Sequence, residues 1–260
     1  MKQALRDQLR RFHLSFLRRP LPAQVAIYLH KVTPAEHSSL RDCLSYFQEL
    51  GYSFVGPGDL SAGGTDKRVL ITFDDNFRSW LDMLPVLDEF AITAGFYINT
   101  LPIRDRASPE QLEFYGDQVG QPGEPTLSSN EIREIAEAGH VIGCHMHSHY
   151  HPDTLDPELF VPEIDDSRKI LEDILGKEVS DFAFPYGKRR HCTKQLMTYC
   201  RELGFTTIAN AIPGRQHAKQ KPLWINRSPW HLEEPLEFNL ENLQIDGRIF
   251  ERLTGRRVGF

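Results

Sequence analysis

The sequence predicts an α/β domain built on a parallel sheet. Two observations carry that expectation. Short apolar runs rich in β-branched and aromatic residues alternate about seven times with amphipathic helical patterns. The helical stretches are also punctuated, with Ser or Thr at several starts and Gly just past the ends. Strand and helix in alternation argue strands that all run the same way. Such a sheet can close into a barrel or stay open and doubly wound. The chain has 260 residues, 40% of them hydrophobic, which fills one sizeable core and not several.

Strands are expected at 25–30, 69–73, 94–98, 141–144, 181–184, 206–210 and 223–227. Between the first two, the stretch from Ser39 to Leu50 buries Leu40, Cys43, Leu44 and Phe47 on one face, and Gly51 ends it. Another helix starts near Phe77. The stretch from Leu101 to Thr126 carries Pro102, Pro109, Pro122 and Pro125 and reads as a long polar loop, of a length that is either functional or mobile. Ser128 and Glu131 form a capping box ahead of Ile132 and Ile135, and Gly139 closes that helix. Ile164, Leu171, Ile174 and Leu175 precede Gly176 in the same way. Thr193 opens a helix carrying Leu196, Cys200 and Leu203, which Gly204 stops. From Glu233 on, Leu236, Leu240, Leu243, Ile249 and Leu253 space a helical tail.

This divides the chain into a basic amphipathic helix at 1–20, the main domain at 21–232 and a tail at 233–260 packed on it. In the first segment Leu5, Leu9, Phe12 and Phe16 share a face. Lys2, Arg6, Arg10, Arg11, Arg18 and Arg19 against Asp7 give six minus one, a charge of +5. Such a helix can pack across the bottom of the domain or lie on an anionic membrane surface. Its arginines interrupt any apolar region of a secretory signal, and no run reaches the roughly 18 apolar residues of a membrane span. The expected location is cytoplasmic, with reduced thiols and room for peripheral contact at the inner membrane face. A formal net charge of -6 gives no general attraction to nucleic acid, so no nucleic-acid partner is expected. Oligomeric state is not legible.

Two constellations carry chemistry. Val69, Leu70 and Ile71 run through Thr72 and Phe73 into Asp74, Asp75 and Asn76. The end of a strand is where active sites of parallel α/β folds lie. Two adjacent carboxylates there repel unless a cation or a partner takes one. Alternation along a strand gives them different surroundings, so one can bind a metal while the other faces substrate. A single N-cap would need only one of them. The second constellation is histidine. Five of the 11 (His140, His145, His147, His149 and His151) cluster just after another apolar strand. Imidazole is the commonest side-chain metal ligand. Two His-x-x-x-His pairs, His145 with His149 and His147 with His151, can each bring two rings to one ion if the segment turns helical. Zinc sites with an open position typically use three protein ligands from His, Asp and Glu.

Thr72-Phe73-Asp74-Asp75, the histidine run, Phe182-Ala183-Phe184-Pro185-Tyr186-Gly187 and Gly204-Phe205-Thr206 together resemble the polysaccharide deacetylases of carbohydrate esterase family 4, over roughly residues 24 to 230. Val25 to Val32, with Tyr28-Leu29-His30, looks like the first strand of a circularly permuted branch that works on poly-N-acetylglucosamine. The resemblance implies a distorted (β/α)7-type barrel as a single catalytic domain. It implies a divalent metal, zinc above others, held by Asp75, His145 and His149, with His147 and His151 as the rival frame. Asp74 is then the general base toward the attacking water, the Tyr186 N–H the oxyanion contact and His30 the general acid, with His231 as the alternative acid. Ala183 stands where many members carry an arginine that orients the base, and Arg227 can supply that charge instead. Asn76 replaces the usual glycine and is expected to take a left-handed backbone in its place. Met146 stands where Ser or Thr is usual.

The implied activity is metal-dependent removal of N-acetyl groups from an amino-sugar glycan or glycan precursor in surface polysaccharide biosynthesis. The expected partner is a carbohydrate, lipid-linked if it is a precursor at the inner membrane face. Two rivals are a metal hydrolase of a non-sugar amide or O-acetyl ester on the same fold, and a degenerate carbohydrate-binding member.

Overall fold

The computed structural model describes residues 20–60, 65–152, 156–216 and 222–244. The expected basic helix, apart from its last residue, lies outside the described residues, as does the tail beyond 244.

Among the described residues nine strands form one sheet. They are β1 (Gln24–Leu29), β2 (Ser53–Phe54), β3 (Arg68–Asp75), β4 (Gly95–Ile98), β5 (Val141–Cys144), β6 (Asp181–Ala183), β7 (Thr207–Ala209), β8 (Leu223–Ile225) and β9 (Ser228–Pro229). Their order is β8-β7-β6-β5-β4-β3-β1-β9, with β2 also pairing with β3, and every ladder is parallel. Among the described residues seven α-helices accompany them: α1 (His37–Glu49), α2 (Ser79–Glu89), α3 (Pro109–Gln118), α4 (Ser129–Glu137), α5 (Pro157–Leu175), α6 (Lys194–Glu202) and α7 (Leu236–Gln244).

β8 and β9 hold the two edges of the sheet, yet only Asn226 and Arg227 separate them in the chain. Two residues span a few ångströms, so the edges must lie side by side. The sheet is therefore curled into a distorted (β/α)7-type barrel, with a covalent seam where a hydrogen-bonded ladder would complete a regular one. β1 sits between β3 and β9.

The strand period decides what faces each side. On β3, Val69, Ile71 and Phe73 join the helix-covered core, together with Phe96 and Ile98 of β4 and Ile27 and Leu29 of β1. The alternate residues Ala26, Leu70, Tyr97, Ala183, Ala209 and Ile225 form a second, smaller apolar cluster inside the curl. Thr72 and Asp74 share the inward parity of Leu70. Small residues on that face leave room for large polar ones, and the barrel's upper interior is polar.

Besides the short strands β2 and β9, which the sequence did not predict, three elements depart from the sequence-based expectation. The stretch from Leu101 to Thr126 contains α3, capped by Ser108, with Pro109 in the first turn and Gln111 completing the box. The strand expected over 223–227 ends at Ile225, and Arg227 lies in the seam. The helical turn on which the His-x-x-x-His reading was conditional does not form: residues 145–149 are irregular, with left-handed backbone at Met146 (φ 63°) and His149 (φ 60°).

Candidate active site

Asp75, His145 and His149 converge at the C-terminal ends of the strands. One ligand atom from each lies within 4.8 Å of the others, and all three residues are buried. His145 Nε2 is 3.6 Å and His149 Nε2 3.2 Å from Asp75 Oδ1. His145 Nδ1 lies 2.9 Å from the Ala183 carbonyl. That carbonyl can only accept, so the proton sits on Nδ1 and the Nε2 lone pair faces the carboxylate. Asp75 Oδ1 is buried with no hydrogen-bond donor among the described residues. Lone pairs aimed at an unsatisfied buried oxygen are what a cation relieves, so these residues fit a divalent ion. Burial would push the Asp75 carboxyl up, but the adjacent His149 and His145 hold it well below the usual carboxylate range.

The local backbone explains how they meet. Asp75 itself takes the left-handed conformation, φ 87°, so the turn expected at Asn76 sits one residue earlier. Asn76 is wholly buried and acts through its side chain: Nδ2 donates to Asn99 O (3.0 Å), and Oδ1 accepts from Leu127 N–H (2.8 Å). Asn99 Nδ2 in turn donates to the carbonyl of His145. Glu163 on α5 holds the histidine loop from the other side, accepting from the N–H groups of His147 (3.1 Å) and Ser148 (2.8 Å). Met146 drops into the core. Four non-glycine residues at this site (Asp75, Met146, His149 and Tyr186) have positive φ, each strained at a cost of about 1–3 kcal/mol.

His147 and His151 face other partners. His147 Nδ1 lies 2.8 Å from Thr100 Oγ1, and His151 stacks on Tyr186, ring centroids 3.8 Å apart. His140 is buried, and its Nδ1 accepts from Ala94 N–H at 3.3 Å. Cys144 packs in the core.

Asp74, next to the triad, meets Arg227 in a two-point pair: Nη1 to Oδ1 at 2.6 Å and Nη2 to Oδ2 at 2.7 Å. Arg227 is fully buried. Its Nε donates to Asn210 O (2.9 Å), and its guanidinium lies over two rings, 5.0 Å from Tyr28 and 5.1 Å from Tyr97. Ala183 leaves no competing side chain on that face. Burial pushes the Tyr28 hydroxyl up to about 12, against the pull of Arg227, so Tyr28 is neutral. The sequence reading did not find Tyr28, Tyr97, Asn99 or Glu163 as site residues. The alternation of β4 carried a signal for Tyr97.

His30 follows β1 and lines the same pocket as Asp74, Asp75 and Tyr186. Its ring meets Tyr28 edge-on at 5.5 Å. His231 is not among the residues lining that pocket; it lies beside Glu233 (3.5 Å) and Phe238. Tyr186 has φ 59°, and among the described residues no acceptor takes its N–H. A cavity of about 370 Å³ thus joins a cation triad, an arginine-aimed carboxylate, a histidine and a backbone donor.

The sequence pattern of the polysaccharide deacetylase family matches residues 61–208. YxkH of Bacillus subtilis (strain 168), a curated relative bearing the same family's name, is 23% identical over 152 residues. That match covers 56% of this chain and 48% of the relative, so the chain spans about half the relative's length. Among solved structures, IcaB from Ammonifex degensii superposes with a TM-score of 0.70 at 22% identity, over 86% of this chain and 98% of that one. The Streptococcus pyogenes deacetylase PplD, solved with acetate, gives 0.66 at 18% identity, over 86% and 100%. A de-N-acetylase from Aggregatibacter actinomycetemcomitans gives 0.61 at 15% identity, over 84% and 98%. At these identities the structures speak for the fold. The family pattern covers more than half of the chain and includes both aspartates and the histidine pair, so this protein belongs to the polysaccharide deacetylase family.

Proposed function

We propose that the protein removes N-acetyl groups from an amino-sugar glycan or glycan precursor used in surface polysaccharide biosynthesis. The observation that carries this reading is the Asp74–Arg227 pair set beside the Asp75–His145–His149 triad in one pocket. One carboxylate and two imidazoles suit zinc. A divalent ion held there supplies Lewis acidity toward water and the acyl carbonyl. Asp74, aimed by Arg227, accepts the proton of the water that attacks the acetamide carbon. The Tyr186 N–H donates to the carbonyl oxygen as charge develops on it. His30 then gives a proton to the nitrogen as the C–N bond breaks, leaving acetate and a free amine. For location, the reading is cytoplasmic, with a lipid-linked substrate met at the inner membrane face through the basic segment 1–20.

Acetate release from matched N-acetyl and O-acetyl hexosamine substrates by the zinc-loaded full chain tests it. Release from the N-acetyl member is expected. Asp75→Ala should lose both metal and activity. Hydrolysis of the ester alone, or no acetate from N-acetylhexosamine glycans, glycolipids and nucleotide sugars, would overturn the reading.

A further inference from the structure

The stretch from α3 to Leu127 forms one side of the pocket. After Gln118 the chain folds back on the helix. Gln121 N–H donates to Gly116 O at 2.8 Å, and a Cβ on Gly116 would lie 3.0 Å from Pro122 Cα. The fold-back is anchored at three points. Tyr115 Oη donates to Asn99 Oδ1 (3.2 Å), just past β4. Arg78 N–H donates to Pro125 O (2.9 Å) and Leu127 N–H to Asn76 Oδ1 (2.8 Å), both just past β3. At the end of β1, Lys31 Nζ meets Glu124 Oε2 at 3.0 Å and Gln121 Oε1 at 3.3 Å. The segment therefore arcs over three neighbouring strand ends, β4, β3 and β1. Gln118, Val119 and Gln121 line the pocket along that arc. Hydrogen bonds at both ends and close packing at Gly116 make it a wall and not a hinged lid.

We propose that this wall confines the reaction to the terminal N-acetyl sugar of a chain and excludes interior units. This rests on the amino-sugar reading above. An acetyl group reacts only where it reaches Asp74 and the triad. An interior sugar carries a neighbour on each side, so its chain must leave the pocket in two directions. One of those is closed by the wall. Tyr186, Lys188 and Ala211 line the pocket beyond the ends of β6 and β7, away from the wall, and in the proposed arrangement the rest of the chain leaves on that side. A terminal unit can sit over the triad with its only neighbour on that side.

The test is the product pattern on N-acetylglucosamine oligomers from dimer to hexamer, run to completion with the zinc-loaded full chain. The expected yield is one acetate per chain at every length, with the free amine mapped by tandem mass spectrometry to one terminal unit. Several acetates per hexamer, or a free amine at an interior unit, overturns the proposal. In a second arm, Lys31→Ala, Gln121→Ala and Glu124→Ala are combined to lower the wall. The combined variant is expected to release more than one acetate per hexamer. An unchanged single terminal amine would mean that the wall does not set the pattern. A wild type that releases no acetate at any length counts against the amino-sugar reading instead.

Discussion

Arg227 and Asp74 are two charges held inside the barrel, and their worth depends on being kept together. A two-point guanidinium–carboxylate pair between two aromatic rings is well aimed. Removing one partner strands the other charge in a buried site, at about 3–5 kcal/mol. Arg227→Met should therefore lower unfolding stability by that order in a urea titration. Arg227→Lys keeps the charge but not the two-point geometry, and should cut kcat by about tenfold or more while zinc content stays unchanged. Asp74→Asn should cost on the order of a hundredfold in turnover, again with metal retained; loss of zinc in that variant would count against separate roles for the two aspartates. The aspartates and histidines were legible because a carboxylate pair and a histidine run each follow an apolar strand, while Arg227 and His30 were singled out only through the family resemblance. Tyr28 and Tyr97 were not singled out, because an aromatic residue in a strand reads as core unless its face is known.

The elements show how close approach takes the place of side chains. Gly143 on β5 has no room for a Cβ: one would lie 2.6 Å from the Tyr97 ring and 2.9 Å from Asp181 O. The glycine thus lets Tyr97 lie where it meets Arg227. Gly143→Ala should push the ring off that position and cost about 1–3 kcal/mol, seen as a lower urea midpoint together with a lower kcat. A fall in stability with kcat untouched would deny Tyr97 any part in aiming the base. Most helices were legible because their caps and apolar faces agree, as with Ser128, Glu131, Ile132 and Ile135 in α4. α3 was obscured by four prolines, although Ser108, Pro109 and Gln111 spell a helix start. The structure brings His145 and His149, the favoured pair, to Asp75, but without the helical turn on which that reading was conditional. Two left-handed residues bring His145 and His149 together as a helical turn would, and spacing alone does not distinguish the two.

At the scale of the whole molecule, the triad ties β3 to the loop after β5, so bound metal adds to stability through folded-state binding. Zinc at about a hundredfold above its dissociation constant should stabilise the fold by roughly 2.7 kcal/mol. The measurement is a thermal melt with and without zinc after chelation. Asp75→Ala should abolish the difference, and an equal zinc response in that variant would place the ion elsewhere. The parallel sheet was legible from strand and helix alternating; the curl was not legible from that alternation and was implied only by the family resemblance. It depends on which strands become edges, and the two-residue β9 has too little sequence to announce itself. The seam that β9 completes also orders events during synthesis. A chain leaving the ribosome presents Asp75, His145 and His149 well before Arg227. The guanidinium that aims the base is thus the last part of the site to be made, and the base has its partner only when β9 has brought the two edges of the sheet together.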